Sequence, residues 1–549
     1  MTIATRASHF AHLDEAKLGW FHIRSILVAG AGFFGDAYDI FVIGLALPMI
    51  YRVYYPPADP TKGSTFNATV HNSIHIDALL KASTNWGNLV GQLSFGYLGD
   101  KLGRKKVYGV EIIIMMVAIL GSTLACSTVR GMGVLTMLGL WRFVLGIGIG
   151  GDYPMSATIT SEFAQVRYRG MMVAAVFAMQ GIGILIGGLV TLAALAAFKS
   201  LLVDDILYLD YVWRIMLGFG IVPCLATVYF RLTMPESPRF DVHVRNDVEA
   251  AHRDINKISK VNGTTNNTVN TVGEESNKDT TESHAVVSHN SNRAPEIGFK
   301  EYFSKRKNFL VLFGTAYCWF ALDIAWYGLT LNTPRVLTII NYDGAGKSQY
   351  DSFFSKAVGN IIIACMGTVP GYWVTVALIE KWGRKPIQFL GFGVITVILV
   401  IISALWNQIL QKDETGVFSQ SSRIIFIFLY TVAQFFFNFG PNSTTFVLPA
   451  EVFPTRFRAR AHGISAACGK VGAILGIQAV GPYFEEAPRV VIGVFAIVMA
   501  TGGIATFLVP ETKGKTLEEL TDESEDETYE IPEQNNANNA VHHDQLRAN

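Results

Sequence analysis

Trp319, Asp323 and Tyr327 follow one another at intervals of four inside an apolar run. On a helix this spacing lines an indole N–H, a carboxyl and a phenol along one face. Such a stripe can hydrogen-bond a polar ligand, or it can tie one helix to another; the residues alone allow both. A carboxyl in an apolar segment of bilayer length costs roughly 2.5–3.5 kcal/mol on insertion scales, and it normally faces a polar cavity. Asp36 and Asp39, three apart in an earlier run, also share a face. Two acids so close resist simultaneous ionisation, which suits one of them to hold an exchangeable proton. Alternatively, Arg142 holds one of them ionised and leaves the other to titrate. Asp152 follows the glycines Gly146, Gly148, Gly150 and Gly151, with Tyr153 and Pro154 next and Glu162 closing the run. Glu111 is a lone acid in another apolar stretch, fit equally for a proton route or for pairing inside a bundle.

Membrane-length helices must position these groups. A span needs roughly 20 apolar residues, and twelve runs qualify, near 26–50, 76–98, 107–127, 132–160, 171–198, 212–232, 309–331, 353–379, 387–406, 423–447, 461–483 and 490–509. The chain has 549 residues, 50% hydrophobic and 16% charged, with a mean hydropathy of +0.32. That composition predicts an all-α polytopic membrane protein rather than a soluble domain. Lys and Arg balance Asp and Glu at 44 each, which gives no reason to expect a nucleic-acid partner. The five cysteines lack metal spacing, no metal site is expected, and the absence of a Walker-type loop gives no support for ATP-driven transport.

Basic residues fall in alternate loops, at Lys101–Lys106, Arg167–Arg169, Lys381–Lys385 and Arg456–Arg460. The positive-inside rule then puts both termini in the cytosol. Because residues 1–25 are polar and lack an apolar core with a cleavage site, the first span is expected to serve as an uncleaved anchor. The expected organisation is a cytosolic segment 1–25, a six-helix bundle 26–232, a linker 233–308, a second bundle 309–509 and an acidic tail 510–549. The stretch Val261–Arg293 and the tail are too polar to build a core and are expected to be disordered. Asn67-Ala-Thr69 forms a glycosylation sequon in the first external loop, whereas that at Asn262 falls on the cytosolic side.

The two halves repeat one another. Glu162, Arg167 and Arg169 recur as Glu451, Arg456 and Arg458 at an offset of 289. Gly103-Arg104-Lys105 recurs as Gly383-Arg384-Lys385 at 280, and Pro235-Glu236-Ser237 as Pro510-Glu511-Thr512 at 275. Adding 289 to Tyr153 gives Asn442, and adding it to Gln180 gives Gly469, beside Lys470; Asp39 plus 284 gives Asp323. Pseudo-symmetry of this kind places substrate at the midplane between the halves. Asn438, four residues before Asn442 on the same face, is the competing amide.

This plan resembles the major facilitator superfamily, through GYLGDKLGRKKVYG at Gly96–Gly109, PESPR at Pro235–Arg239 and PETKG at Pro510–Gly514. Gly150–Glu162, GGDYPMSATITSE, is similar to the signature of the phosphate:proton symporters of fungi and plants. GFFGDAYDIF at Gly32–Phe41, NFGPNSTTF at Asn438–Phe446 and GISAACGK at Gly463–Lys470 support it. The resemblance implies twelve helices in two pseudo-symmetric halves, and a plasma-membrane importer of inorganic phosphate with protons as co-substrate, no other cofactor and no enzymatic activity. It implies that Tyr153, Gln180, Trp319, Asp323, Tyr327 and Asn442 surround phosphate. It also implies that Asp36, Asp39, Asp152, Asp323 and Lys470 serve proton movement or the central charge network. Asp100, Arg104, Glu162 and Arg169 are expected to form a cytosolic gating network. An organic-phosphate permease and a phosphate receptor are the alternatives; a sugar porter is disfavoured because CWFALDIAWYGL replaces that group's double glutamine.

Overall fold

The computed structural model describes residues 3–5, 19–55, 74–126, 133–234, 236–245, 247, 297–340, 342, 348–411, 418–484, 486–521 and 528–530. The sequons at Asn67 and Asn262 and the stretch 261–293 lie outside them. Twelve long helical elements run through the described residues. The first six are α1 Trp20–Tyr54, α2 Ile74–Leu102, α3 Val110–Thr123, α4 Val134–Phe163, α5 Arg169–Ala197 and α6 Ile206–Leu232. The second six are α7 Arg306–Thr330, α8 Gln349–Trp382, α9 Arg384–Ala404, α10 Gln420–Val452, α11 Arg458–Tyr483 and α12 Pro488–Ala505.

Ten of these elements, α3 being taken with the turn before it as Arg104–Thr123, are long and apolar enough to cross a membrane by length and composition. The exceptions, α2 and α11, are long enough at 29 and 26 residues but carry more polar side chains. They can, because each covers the other. A Cβ on Gly96 of α2 would meet the Ala459 carbonyl at 2.8 Å, and one on Gly463 of α11 would meet the Gln92 carbonyl at 2.4 Å. On its other side α2 meets α4 glycine to glycine, since a Cβ on Gly87 or Gly146 would stand 2.0 Å from a backbone oxygen of the facing helix. Small residues spaced by four are how membrane helices approach this closely.

Three expected spans are irregular inside. α6 breaks after Gly218 and restarts at Ile221, α8 contains a π-turn at Ala364–Thr368, and α10 breaks at Phe439-Gly440 before Pro441 restarts it. The expectation of a disordered tail is corrected for Pro510–Thr521. There Leu517–Thr521 is a short helix whose Glu518, 3% exposed, pairs with Arg239 at 3.1 Å. The linker likewise carries helical turns at Pro238–Phe240 and Phe299–Ser304. Apart from helices, Ile3–Thr5 pairs antiparallel with Thr528–Glu530.

The sequence repeat reappears as repeated contacts. Gly103 and Gly383 adopt φ of 100° and 96°, a region glycine enters without a Cβ penalty. Each sets the following backbone amides against one carboxylate. Glu236 accepts from the N–H of Arg104 and Lys105 at 3.0 and 3.2 Å, and Glu511 from the N–H of Arg384 and Lys385 at 3.1 and 2.8 Å. Arg104 then reaches Glu162 at 3.1 Å, as Arg384 reaches Glu451 at 2.9 Å.

Candidate functional site

A polar chain crosses the middle of the molecule from one set of six helices to the other. Gln180 on α5 donates to the Tyr153 hydroxyl of α4 at 2.7 Å and accepts from the Tyr372 hydroxyl of α8 at 3.3 Å. Asn442 of α10 donates to Tyr372 at 2.7 Å and to Asn438 at 2.8 Å. Beside this chain Lys470 of α11 donates to Asp323 at 3.0 Å and to the Tyr327 hydroxyl at 2.7 Å, both on α7. Its ammonium also stands 5.2 Å from the centre of the Tyr153 ring, which ties the two groups together. None of Tyr153, Gln180, Trp319, Asp323, Tyr327, Tyr372, Asn442 or Lys470 is more than 3% exposed.

Aromatic rings wall this centre. Trp319 lies against Gly469, where a Cβ would meet the indole at 2.5 Å, and it meets His462 edge-on at 5.5 Å. Phe177 stacks on Phe446 at 4.4 Å, and Phe41 stacks on Tyr327 at 5.6 Å. All six residues expected around a ligand therefore converge, with phenols and amides that both donate and accept, one carboxylate and one ammonium. Sequence reasoning missed Tyr372. The repeat contained its signal, because subtracting 280 gives Gln92, another buried polar residue on a helix packed along the seam.

The acids of the first six helices form a second cluster. Arg231, in the last turn of α6, reaches Asp152 of α4 at 2.7 Å and Glu111 of α3 at 3.3 Å, with all three side chains fully buried. Ser156 donates to the other oxygen of Asp152 at 2.5 Å, and Tyr108 stands under the guanidinium at 4.6 Å. Sequence reasoning also missed Arg231, which sits at the end of an apolar run where an arginine is ordinarily a surface residue. Asp36 lies beside this cluster, fully buried, and among the described residues no group hydrogen-bonds either of its carboxyl oxygens. Asp39 points instead toward Gly220 of α6 and the charge of Arg142. Neither acid forms an ion pair with Arg142 among the described residues, so the expected direct pair is replaced by longer-range attraction to Asp39. Glu111 is paired, in line with one of its two readings.

Charges also join the halves at the face that carries the basic loops. Glu162 is held at 3.1 Å by Arg104 from its own half and at 3.1 Å by Arg458 from the other. Arg104 also donates to the Thr455 carbonyl at 2.7 Å, and Asp100 accepts from the N–H of Arg460 at 2.8 Å. At the same face Arg169 reaches the Lys515 carbonyl of the tail at 3.0 Å. At the opposite face Lys81 donates to Asn332 at 3.0 Å, and Arg52 to Gln349 at 2.5 Å. Both faces are thus bridged, and the centre is occluded.

Glu162→Gln removes the charge that two guanidiniums share. Hydrogen bonds to charged groups contribute about 1.5–3 kcal/mol each, so the variant shifts the population about tenfold toward separation at that face. Electron–electron distance measurements between spin labels at Lys101 and Lys381, both exposed on different halves, will show a longer component. An unchanged distribution would rule the latch out.

The chain matches the Sugar (and other) transporter family over residues 25–523. It is 39% identical over 536 residues to the repressible high-affinity phosphate permease of Neurospora crassa, covering 93% of this chain and 88% of that one. It is 39% identical over 547 residues to the inorganic phosphate transporter PHO84 of Saccharomyces cerevisiae, covering 94% and 86%. A probable inorganic phosphate transporter of Oryza sativa, 1-8, is 41% identical over 539 residues, covering 94% of each. Among solved structures, the proton:xylose symporter XylE of E. coli superposes with a TM-score of 0.68 at 19% identity, covering 92% of this chain and all of that one. That last likeness concerns the fold alone.

Proposed function

The chain belongs to the Sugar (and other) transporter family, and from that premise we propose that it imports inorganic phosphate with protons across the plasma membrane. It is a multi-pass membrane transporter and not an enzyme. Phosphate binds at the midplane between the halves, and the two faces open in turn. The observation that carries this reading is the buried chain from Tyr153 through Gln180 and Tyr372 to Asn442, flanked by the Lys470–Asp323 pair. These groups satisfy one another when no ligand is bound, and each can turn a donor or acceptor to an oxyanion. Relatives named as phosphate transporters, similar over more than nine-tenths of this chain, point to the same substrate.

A carboxylate at an anion site fits phosphate better than sulfate. Dihydrogen phosphate brings its own O–H donors, which Asp323 accepts, whereas sulfate at neutral pH has none and meets only repulsion. Protons complete the charge balance. Moving one anion inward against 100 mV, inside negative, costs about 2.3 kcal/mol, and two protons reverse the sign. Asp36, Asp39, Asp152 and Asp323 are the acids on that route, and the basic loops face the cytosol together with both termini. The Asp323→Asn variant keeps a hydrogen-bonding group of the same shape but loses the repulsion. Its preference for phosphate over sulfate drops at least tenfold in competition uptake assays, and an unchanged preference would refute this role of Asp323. The same assay, with a glycerophosphodiester as competitor, tests the substrate: inorganic phosphate competes, and the diester does not.

A further inference from the structure

Lys81, Asn85, Asn88 and Gln92 fall at i, i+4, i+7 and i+11 on α2 and therefore form one stripe along the helix. The stripe begins at the face where Lys81 meets Asp77 at 2.8 Å and Asn332 at 3.0 Å. It ends at Gln92, whose backbone carbonyl lies against Gly463 of α11. Beside it the backbones of α2 and α4 touch, since a Cβ on Gly150 would stand 2.5 Å from the Asn88 backbone carbonyl. Asn85, Asn88 and Gln92 are each 0% exposed, and among the described residues no group hydrogen-bonds either the oxygen or the nitrogen of any of the three amides.

Six polar atoms buried without partners is far from the ordinary condition of a protein interior. Leaving one such group unmade costs about 1–3 kcal/mol, so the stripe is not a dry surface. What satisfies it follows from the atoms. A cation would leave three NH2 groups unpaired, and an anion without protons would leave three carbonyls unpaired. Water donates and accepts, and buried waters typically make about three hydrogen bonds to groups of this kind. Lipid is excluded, because the side chains are covered by protein.

We propose that the α2 stripe is solvated by a file of structural waters running from Lys81 to Gln92, along the seam where α2 of the first half meets α11 of the second. These waters keep the amides hydrated while the outer face is shut, and the halves part along the seam when that face opens. Opening then adds water to a wet surface instead of breaking a dry one.

The test uses hydroxyl radicals generated by an X-ray pulse from the waters themselves, read as site-specific oxidation by mass spectrometry. The probes are Asn85→Cys and Asn88→Cys, with Ala82→Cys as an equally buried control off the stripe. The full-length protein is held shut by a short bismaleimide joining Arg52→Cys to Gln349→Cys, next to an existing contact of 2.5 Å. Oxidation at positions 85 and 88 at least ten times faster than at 82 is the expected result, and equally slow oxidation at all three overturns the water file. A second arm measures saturated phosphate uptake by Asn88→Leu, which is expected to fall at least threefold; an unchanged maximal rate overturns the role of the seam in opening. That arm rests on the proposed function, whereas the oxidation arm needs no substrate, so the two can fail separately.

Discussion

Replacing Lys470 with Met abolishes concentrative phosphate uptake and lowers the thermal midpoint of the purified protein. Lys470 is 1% exposed and is the cation that pairs with Asp323. Removing one member of a buried pair strands the other, at a cost of about 3–5 kcal/mol. That is a factor of a hundred or more in any equilibrium the pair supports. Lys470 also donates to Tyr327 at 2.7 Å, so the loss frees a phenol as well as a carboxylate. The double variant Lys470→Met/Asp323→Asn removes both charges. It regains most of the thermal stability but not uptake, which separates the structural contribution of the pair from its transport role. If the double variant transported normally, the pair would be structural only.

The second large effect is at Arg231. Its one guanidinium bridges two acids, Asp152 at 2.7 Å and Glu111 at 3.3 Å, inside a fully buried cluster that Asp36 adjoins. Arg231→Met leaves several carboxyls facing one another with no cation, and little folded protein is expected in detergent extracts by fluorescence-detected gel filtration. Arg231→Lys gives only partial recovery, because an ammonium lacks the planar fork that spans two carboxylates. Combining Arg231→Met with Asp152→Asn and Glu111→Gln restores the folded peak. A monodisperse Arg231→Met protein at wild-type yield would show that the cluster does not depend on this cation. Gly32 belongs to the same arrangement, since a Cβ there would stand 1.6 Å from an Arg231 nitrogen.

The residues that sequence made legible were those whose burial is improbable on its own terms. Asp323 in an apolar run, the i, i+4, i+8 stripe and the repeat offset from Tyr153 to Asn442 each pointed to the centre, and all of them meet there. Helix positions were legible because a bilayer imposes length and apolarity. The misses share a cause: what a polar residue contacts depends on helices far away in sequence. Tyr372 reads as an ordinary aromatic until α8 sets its hydroxyl between Gln180 and Asn442. Arg231 reads as a terminal anchor until α6 turns it inward between α3 and α4. Arg142 is the lone basic residue of the fourth expected span and so reads as the partner of Asp36 or Asp39, yet the buried ion pairs beside Asp36 are made by Arg231 with Asp152 and Glu111. The tail helix Leu517–Thr521 was illegible because it is buried against distant parts of the chain, with Glu518 paired to Arg239 on the far side of the second bundle in sequence.

The most direct test of proton-driven phosphate import is uptake of labelled phosphate by the purified protein in liposomes, with the pH gradient and membrane potential imposed separately. Phosphate is predicted to accumulate above its external concentration when the outside is acidic, more strongly when the inside is also negative, and to leak back when a protonophore is added. Accumulation that ignores both gradients, or equilibration without accumulation under either, would contradict the account.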